Sequence, residues 1–271
     1  MNHPYEEKRY VLNVPGLPRG ARFRIALLTD LHNCTFEGVT ECLEKAKPNA
    51  VLCAGDIINC PKVPLVPGFN VALQFYETLS RRYPTYAVHG NHEDRWRFSE
   101  DEEHRRTYAA FREKLSGLGV VLLENEIVPL EADGVKLQLA GLAPDKRVYK
   151  VKKRGERALP DGEIERMLGP KPEAFTVLLA HTPSAAADYA AWGADLVLSG
   201  HVHGGIVRLP RIGGVVGPGL QPLPPYTKGE YRIGETTLIV SAGLGEHSIP
   251  VRVGNPRHIV YVDLVSRESK E

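Results

Sequence analysis

The sequence predicts an α/β fold of mixed sheets flanked by helices, in a single domain spanning residues 1–271. Three observations carry this reading. In the first half, short apolar runs alternate with stretches of helical period, which implies parallel strand pairing. The second half is rich in strands, which implies antiparallel or mixed pairing. Five of the apolar runs stop at Asp, Asn or His, and open α/β sheets bind ligands beyond the carboxyl ends of their strands.

The elements follow in order. Residues 1–20 form a charged, proline-bearing lead-in with an edge strand expected near residues 10–14. Residues 23–28 read as a buried strand that runs into Thr29-Asp30-Leu31-His32. Phe36, Val39, Leu43 and Ala46 recur at helical spacing, and Pro48 stops that helix. A strand over residues 50–54 ends in Gly55-Asp56, and the proline-rich residues 61–68 read as a loop. Val71, Ala72, Phe75, Tyr76 and Leu79 mark one face of a second helix. A third strand, residues 85–88, runs into His89-Gly90-Asn91-His92-Glu93. Residues 94–106 are densely charged, with Trp96 and Phe98 interleaved as helix-edge packing. They lead to a helix with Tyr108, Phe111, Leu115 and Leu118 inward and Gly119 as its stop.

After the apolar residues 120–123, strands over residues 127–130 and 135–139 flank the turn signal Asp133-Gly134. The basic residues 145–157 read as a solvated loop, balanced by Glu100-Asp101-Glu102-Glu103. Residues 175–180 form a strand that ends in His181. Thr182-Pro183 suits the start of a helix over residues 185–191, with Gly193 as its stop. Residues 196–198 lead to Gly200-His201-Val202-His203-Gly204-Gly205. A Gly/Pro-rich stretch, residues 204–225, precedes strands at residues 231–233, 237–241 and 259–264.

Composition excludes several classes. The chain has 271 residues, 42% hydrophobic and 25% charged, which suits a sizeable soluble core. Net charge is +1, so no global field argues for nucleic acid or an acidic membrane. No apolar run approaches the ~18 residues of a membrane span. The polar residues 1–9 lack the apolar core of a signal peptide, so a cytoplasmic protein is expected. Cys34, Cys42, Cys53 and Cys60 form no Cys-x-x-Cys pair, which argues against structural zinc and against a disulfide framework.

The strand ends supply Asp30, His32, Asp56, Asn91, His92, His181, His201 and His203. A histidine pair such as His201 and His203 points to one side if its backbone is extended and splays around an object if it lies in a turn. Two carboxylates, four imidazoles and one amide carbonyl are too many ligands for one ion and suit two. Asp56, with two oxygens, can bridge a pair roughly 3.5 to 4 Å apart. Nitrogen and oxygen donors without thiolate favour Mn, Fe, Zn or Co over Ca or Mg, with Mn first. His92 follows Asn91 directly, so it can face the site without being a ligand and serve as a proton donor.

Asp30-x-His32, Gly55-Asp56, Gly90-Asn91-His92-Glu93, His181 and Gly200-His201-x-His203 resemble, in order, the signature of calcineurin-like metallophosphoesterases. The stretch from Gly204 to Pro210, Tyr226-Thr227-Lys228-Gly229-Glu230-Tyr231, Gly243-Leu244-Gly245 and Gly254-Asn255-Pro256 resemble the YaeI/YkuE-type phosphodiesterase branch. The resemblance implies a four-layer αββα sandwich with two mixed sheets. It implies one metal on Asp30, His32, Asp56 and His203, and another on Asp56, Asn91, His181 and His201. It further implies a bridging hydroxide as nucleophile and His92 as general acid. Three positions depart from the pattern: Asn59 and Glu93 stand where Asp is common, and Ile206 stands where the branch often has Gln. The branch often carries an export or anchoring segment, and the polar residues 1–9 do not read as one.

Arg208, Lys228 and His247 flank these motifs in Gly-rich loops and are candidates for holding substrate. His89 reads as a strand residue, and His3, His104 and His258 as surface or structural histidines. The expected function is hydrolysis of a phosphodiester in a small molecule or lipid, with no nucleic-acid partner. A pyrophosphatase acting on a nucleotide-linked lipid, of the UDP-diacylglucosamine hydrolase type, is the enzymatic alternative. A non-catalytic scaffold on the same fold is the other; such proteins tend to lose ligands that are intact here.

Overall fold

The computed structural model describes residues 5–60, 69–144, 146–149, 154–205, 207–209, 211–217, 222–246 and 252–266. The proline-rich loop, His3 and His247 lie outside them. The first half supplies strands β1 (Tyr5–Val14), β2 (Arg22–Leu28), β3 (Ala50–Cys53), β4 (Thr85–Ala87) and β5 (Val121–Leu122). Between them run helices α1 (Val39–Ala46), α2 (Asn70–Ser80), α3 (Asn91–Arg97) and α4 (Glu102–Gly117). The second half supplies β6 (Glu126–Ala132), β7 (Val135–Leu142), α5 (Glu163–Leu168), β8 (Thr176–Ala180), α6 (Ala186–Trp192) and β9 (Leu196–Ser199). It continues through β10 (Val207–Leu209), β11 (Gly213–Val216), β12 (Gly229–Ile233), β13 (Thr236–Val240) and β14 (Arg257–Ser266).

The expected strands and helices appear, helix α5 is an addition to them, and three further differences stand out. The edge strand is longer than expected, because β1 pairs with β14 over its whole length, in parallel from Tyr5↔Arg257 to Val14↔Ser266. Its exposed side chains are polar apart from Val11, and those from Glu6 to Arg9 run consecutively, so the sequence shows little alternation there. Helix α3 rises where Gly90-Asn91-His92-Glu93 meets the densely charged stretch, for which the sequence predicts no element of its own. It has no apolar stripe, since its buried residues are His92 and Glu93. Glu93 instead caps it, accepting from the Gly90 N–H at 2.9 Å. The Gly/Pro-rich region holds the short antiparallel hairpin β10–β11.

Two six-stranded sheets result, in the orders β1-β14-β2-β3-β4-β5 and β12-β13-β9-β8-β7-β6. Side chains alternate across each strand. Phe23, Ile25 and Leu27 of β2 and Leu52 of β3 face Leu139, Leu179, Leu198 and Ile239 of the other sheet. Ala26, Leu28 and Val51 turn outward onto Leu43, Phe75 and Phe111 of α1, α2 and α4. Leu178, Val197 and Leu238 turn outward onto Ile164 and Tyr189 of α5 and α6. The layers are therefore helix, sheet, sheet, helix, and both sheets mix parallel with antiparallel pairs. The four cysteines are free. Among the described residues no helix is long and apolar enough to cross a membrane.

Strands β2, β3 and β4 are parallel neighbours, as are β8 and β9 in the other sheet. Their carboxyl ends meet at one edge, where backbone bonds tie loop to loop. The Asp30 N–H donates to Gly55 O at 3.0 Å, the His32 N–H to Asp56 O at 3.0 Å, and the Gly200 N–H to His181 O at 2.9 Å.

At the antiparallel junction of β14 with β2, Asp263 is 1% exposed. It accepts from Arg24 Nε at 2.6 Å and from Arg22 Nη2 at 2.5 Å. Burial alone would raise its carboxyl, but these two guanidiniums overcome that and hold it below its ordinary value. Asp263→Ala is expected to cost about 3 to 5 kcal/mol in urea unfolding at neutral pH, because Arg24 is left without its partner. The folded carboxyl titrates below the unfolded one, so the stabilisation is complete above roughly pH 4. It disappears as the pH falls through the lowered folded value. A difference between wild type and variant that persists unchanged in acid would refute the ionic account.

Candidate metal centre

The residues at the shared edge do not continue the strands. Asp30 (φ 52°), His32 (52°), Asp56 (53°), His201 (68°) and His203 (51°) all lie in the left-handed region, which is strained for residues with a side chain. Each strand ends by turning sharply, so neighbouring ligands point to different places. His201 and His203 accordingly splay. Two glycines permit the crowding. A Cβ on Gly200 would lie 2.2 Å from Thr29 Oγ1 and 2.4 Å from Asp30 Oδ2, and one on Gly90 would lie 2.2 Å from Asp56 Oδ1.

The side chains gather into two adjoining groups. In the first, His32 Nε2 lies 3.0 Å from His203 Nε2, which lies 3.4 Å from Asp30 Oδ1. In the second, His181 Nε2 lies 3.2 Å from Asp56 Oδ2, 3.3 Å from Asn91 Oδ1 and 3.2 Å from His201 Nδ1. Asp56 Oδ2 also stands 3.9 Å from His32 Nε2 and 3.9 Å from His92 Nε2, so this carboxylate joins the groups. Asp30-His32-His203 and Asp56-His181-His201 each keep their donor atoms within 4.8 Å of one another.

The donor chemistry fits divalent cations. His181 Nδ1 faces the Ala54 carbonyl at 2.6 Å and must donate to it, so Nε2 is the ring atom aimed at the group. His32 and His203 bring two ring nitrogens to hydrogen-bond distance of each other, the spacing of two ligands on one ion. Charge points the same way. Burial pushes the Asp30 carboxyl up to about 6. Burial also opposes a charged His181, but the carboxylates of Asp56 and Asp30 outweigh it and raise the imidazole to about 10. Burial works against an ionised Asp56 too, yet His181 and His92 hold it well below its ordinary value. The pocket concentrates negative charge that calls for a cation.

His92 also comes within metal-binding distance, grouping with His32 and Asp56, but its ring is engaged differently. Its Nδ1 accepts the Cys60 N–H at 2.8 Å, so in the neutral ring the proton sits on Nε2, the atom facing Asp56. Its own N–H donates to Asp56 Oδ1 at 2.8 Å. Burial pulls its imidazolium below its ordinary value although Asp56 opposes this.

Several supporting residues were not legible as such. Glu93, noted in the sequence only as a departure from Asp, is 5% exposed. It accepts from the N–H groups of Asp56 (2.8 Å), Ile57 (2.9 Å) and Ile58 (3.2 Å) and thus clamps the β3 and β4 loops together. Its place three residues after Gly90, the capping-box spacing, is the signal that could have found it. Arg252 Nη2 donates to Ala242 O at 2.8 Å and lies 3.4 Å from His203 Nδ1. Asn255, within the Gly-Asn-Pro motif, donates to the carbonyls of His203 at 2.5 Å and Gly205 at 2.8 Å. Tyr149, from the basic loop, places its ring 5.2 Å from that of His201.

Of the outer candidates, Arg208 and Lys228 have partners of their own. Arg208 Nη1 donates to Gly204 O at 3.4 Å and Thr227 Oγ1 at 3.2 Å. Lys228 Nζ pairs with Glu6 at 2.7 Å. Trp96 packs edge-on against Phe69 and donates to Asn59 O, while Phe98 is exposed. His89 is buried beside Arg97, and His258 accepts the Ala242 N–H; neither belongs to the two groups.

Known proteins resemble this chain in sequence. The metallophosphoesterase YkuE of Bacillus subtilis is 26% identical over 259 residues, covering 92% of this chain and 82% of that protein. The phosphodiesterase YaeI of Escherichia coli is 23% identical over 237 residues, covering 83% of this chain and 76% of that protein. Among solved structures, the phosphopantetheinyl hydrolase PptH of Mycobacterium tuberculosis superposes with a TM-score of 0.48 at 14% identity, over 83% of this chain and 91% of that one. The model of the calcineurin-like phosphoesterase family matches residues 23–205, from the first residues of β2 to the glycines just past His203 and more than half of the chain, so the chain belongs to that family.

Proposed function

We propose that the chain is a dinuclear metal-dependent phosphodiesterase. The observation that carries this is the position of Asp56, one carboxylate shared between two groups of nitrogen and oxygen donors. One ion would be held by Asp30, His32, Asp56 and His203, and the other by Asp56, Asn91, His181 and His201. Manganese is the first choice for both, with iron, zinc or cobalt as alternatives, because the donors are nitrogen and oxygen without thiolate. When bound, two such ions supply Lewis-acid charge and lower the pKa of water, so that hydroxide is available near neutral pH.

The chain's own residues supply the rest. Asp56 and Asn91 reach the same point from two loops, and Glu93 keeps the Asp56 backbone in place. His92, with its Nδ1 occupied by the Cys60 N–H, presents an Nε2 proton toward the centre. That proton is placed to stabilise charge on a phosphoryl oxygen and to pass to the leaving alkoxide. Arg208 supports a substrate contact, since it stands against the Gly204 carbonyl directly after His203. Lys228 supports one less well, since Glu6 already holds its ammonium. YaeI, a relative over most of this chain, is named a phosphodiesterase, which supports a diester over a monoester as substrate.

Protein stripped of metal is expected to be inactive and to regain hydrolysis of bis-p-nitrophenyl phosphate when Mn²⁺ is returned. p-Nitrophenyl phosphate should be the poorer substrate, and Asp56→Asn should be inactive with both. Cleavage of the monoester alone would replace the diesterase reading with a phosphatase. Silence toward both by the metal-bound protein would favour a pyrophosphate substrate. A second variant separates the acid from the ligands. His92→Ala should retain its metal, measured by elemental analysis, while kcat falls about 10²- to 10⁴-fold; full turnover in that variant would sink the acid role.

A further inference from the structure

Of the seven large apolar side chains left exposed among the described residues, four gather in one place, while Val11, Phe98 and Val121 stand singly. Leu209, Ile212, Leu223 and Val253, between 42% and 67% exposed, gather around the β10–β11 hairpin. Leu209 and Ile212 flank its turn. The Leu223 N–H donates to Val215 O at 2.9 Å, and Val253 bridges to Val207. Backbone strain holds part of the group outward, since Arg211 (φ 67°) and Leu223 (φ 44°) both occupy the left-handed region.

A cleft of about 550 Å³ opens beside them, lined by Arg154, Arg208 and Arg211 together with Tyr226 and Tyr231. No carboxylate lines it among the described residues, and none pairs with any of the three arginines. Arg154 lies over both tyrosine rings, 5.4 and 5.6 Å from their centroids. Arg208 bonds only to uncharged oxygens. The patch stands at the catalytic edge of its sheet: Gly229, where β12 begins, pairs with Val240, where β13 ends parallel to β9.

We propose that this face docks on an anionic phospholipid bilayer, with the arginines on headgroup phosphates and the four aliphatic side chains in the interfacial layer. Guanidinium presents a planar fork of donors that matches phosphate. Unpaired cations beside outward aliphatic side chains are the combination that binds a membrane interface, where buried apolar area and attraction to anionic lipid add. A purely soluble anion would use the arginines and leave the aliphatic side chains in water. The chain's net charge is only +1, so the attraction is local and acts within roughly one Debye length, about 8 Å at physiological salt.

The test is co-sedimentation of the full chain with vesicles, which needs no turnover and so stands apart from the hydrolytic reading. The chain should sediment with phosphatidylcholine vesicles containing phosphatidylglycerol and not with phosphatidylcholine alone. Arg154→Ala with Arg211→Ala should lower the partition about fivefold per arginine, and Ile212→Ser with Leu223→Ser should lower it at any salt. All four side chains are exposed, so circular dichroism and thermal unfolding should be unchanged. Equal sedimentation with both vesicle types, or undiminished binding in both double variants, would overturn the proposal. So would a dimer in sedimentation velocity that the Ile212→Ser, Leu223→Ser variant dissolves, since a second copy would then occupy the face.

Discussion

The carboxylate of Asp56 is the point on which the active edge depends. It is 2% exposed and lies where strand ends from both sheets meet. Its backbone N–H is held by Glu93, one of its oxygens by the His92 N–H, and its other oxygen faces His181. A buried anion so placed is stable only when positive charge is brought to it. The chain brings imidazoles from four loops, and these are the donors that a cation pair needs.

Holding that many polar groups together costs backbone strain. Five of the site residues occupy the left-handed region, each at a cost of order 1 to 3 kcal/mol. The strain is supported by what lies beneath it. The inner faces of both sheets pack on each other through residues such as Ile25, Leu27, Leu179 and Leu198, all fully buried. Backbone bonds between the loops then prevent the turns from relaxing. Glycines 90 and 200 allow the loops to touch, since any side chain there would collide with Asp56 or Asp30. Rigidity below and contact above are parts of one device.

Charge is organised at two scales. The chain as a whole is nearly neutral, which fits the absence of any long-range field. Within it, a negative centre and a positive, partly apolar flank share one sheet edge. Such local contrast is invisible to a sum over the sequence, because the three arginines come from positions 154, 208 and 211, and only the fold sets them around one cleft.

The order of elements, the hairpin at Asp133-Gly134 and the identity of the residues around the centre were all legible in the sequence. Apolar runs of strand length that end in Asp or His report both burial and chemistry, and Gly-His-x-His-Gly is a local signal. Helix α3 was not legible, because its buried face is made of His92 and Glu93 and carries no apolar period. Nor was the length of β1, whose pairing with β14 spans some 250 residues of chain. The clamp formed by Glu93 and the contacts of Arg252 and Asn255 behind His203 depend on loops far apart in sequence. The sequence by itself determined which donors exist and at which strand ends they stand, since alternation and hydrophobicity are local properties. Spacing alone left open whether His201 and His203 point to one side or splay, and only the tertiary structure decided that they part into different groups around Asp56. Those outcomes follow from left-handed turns held by contacts between sheets, and a sequence does not display contacts of that range.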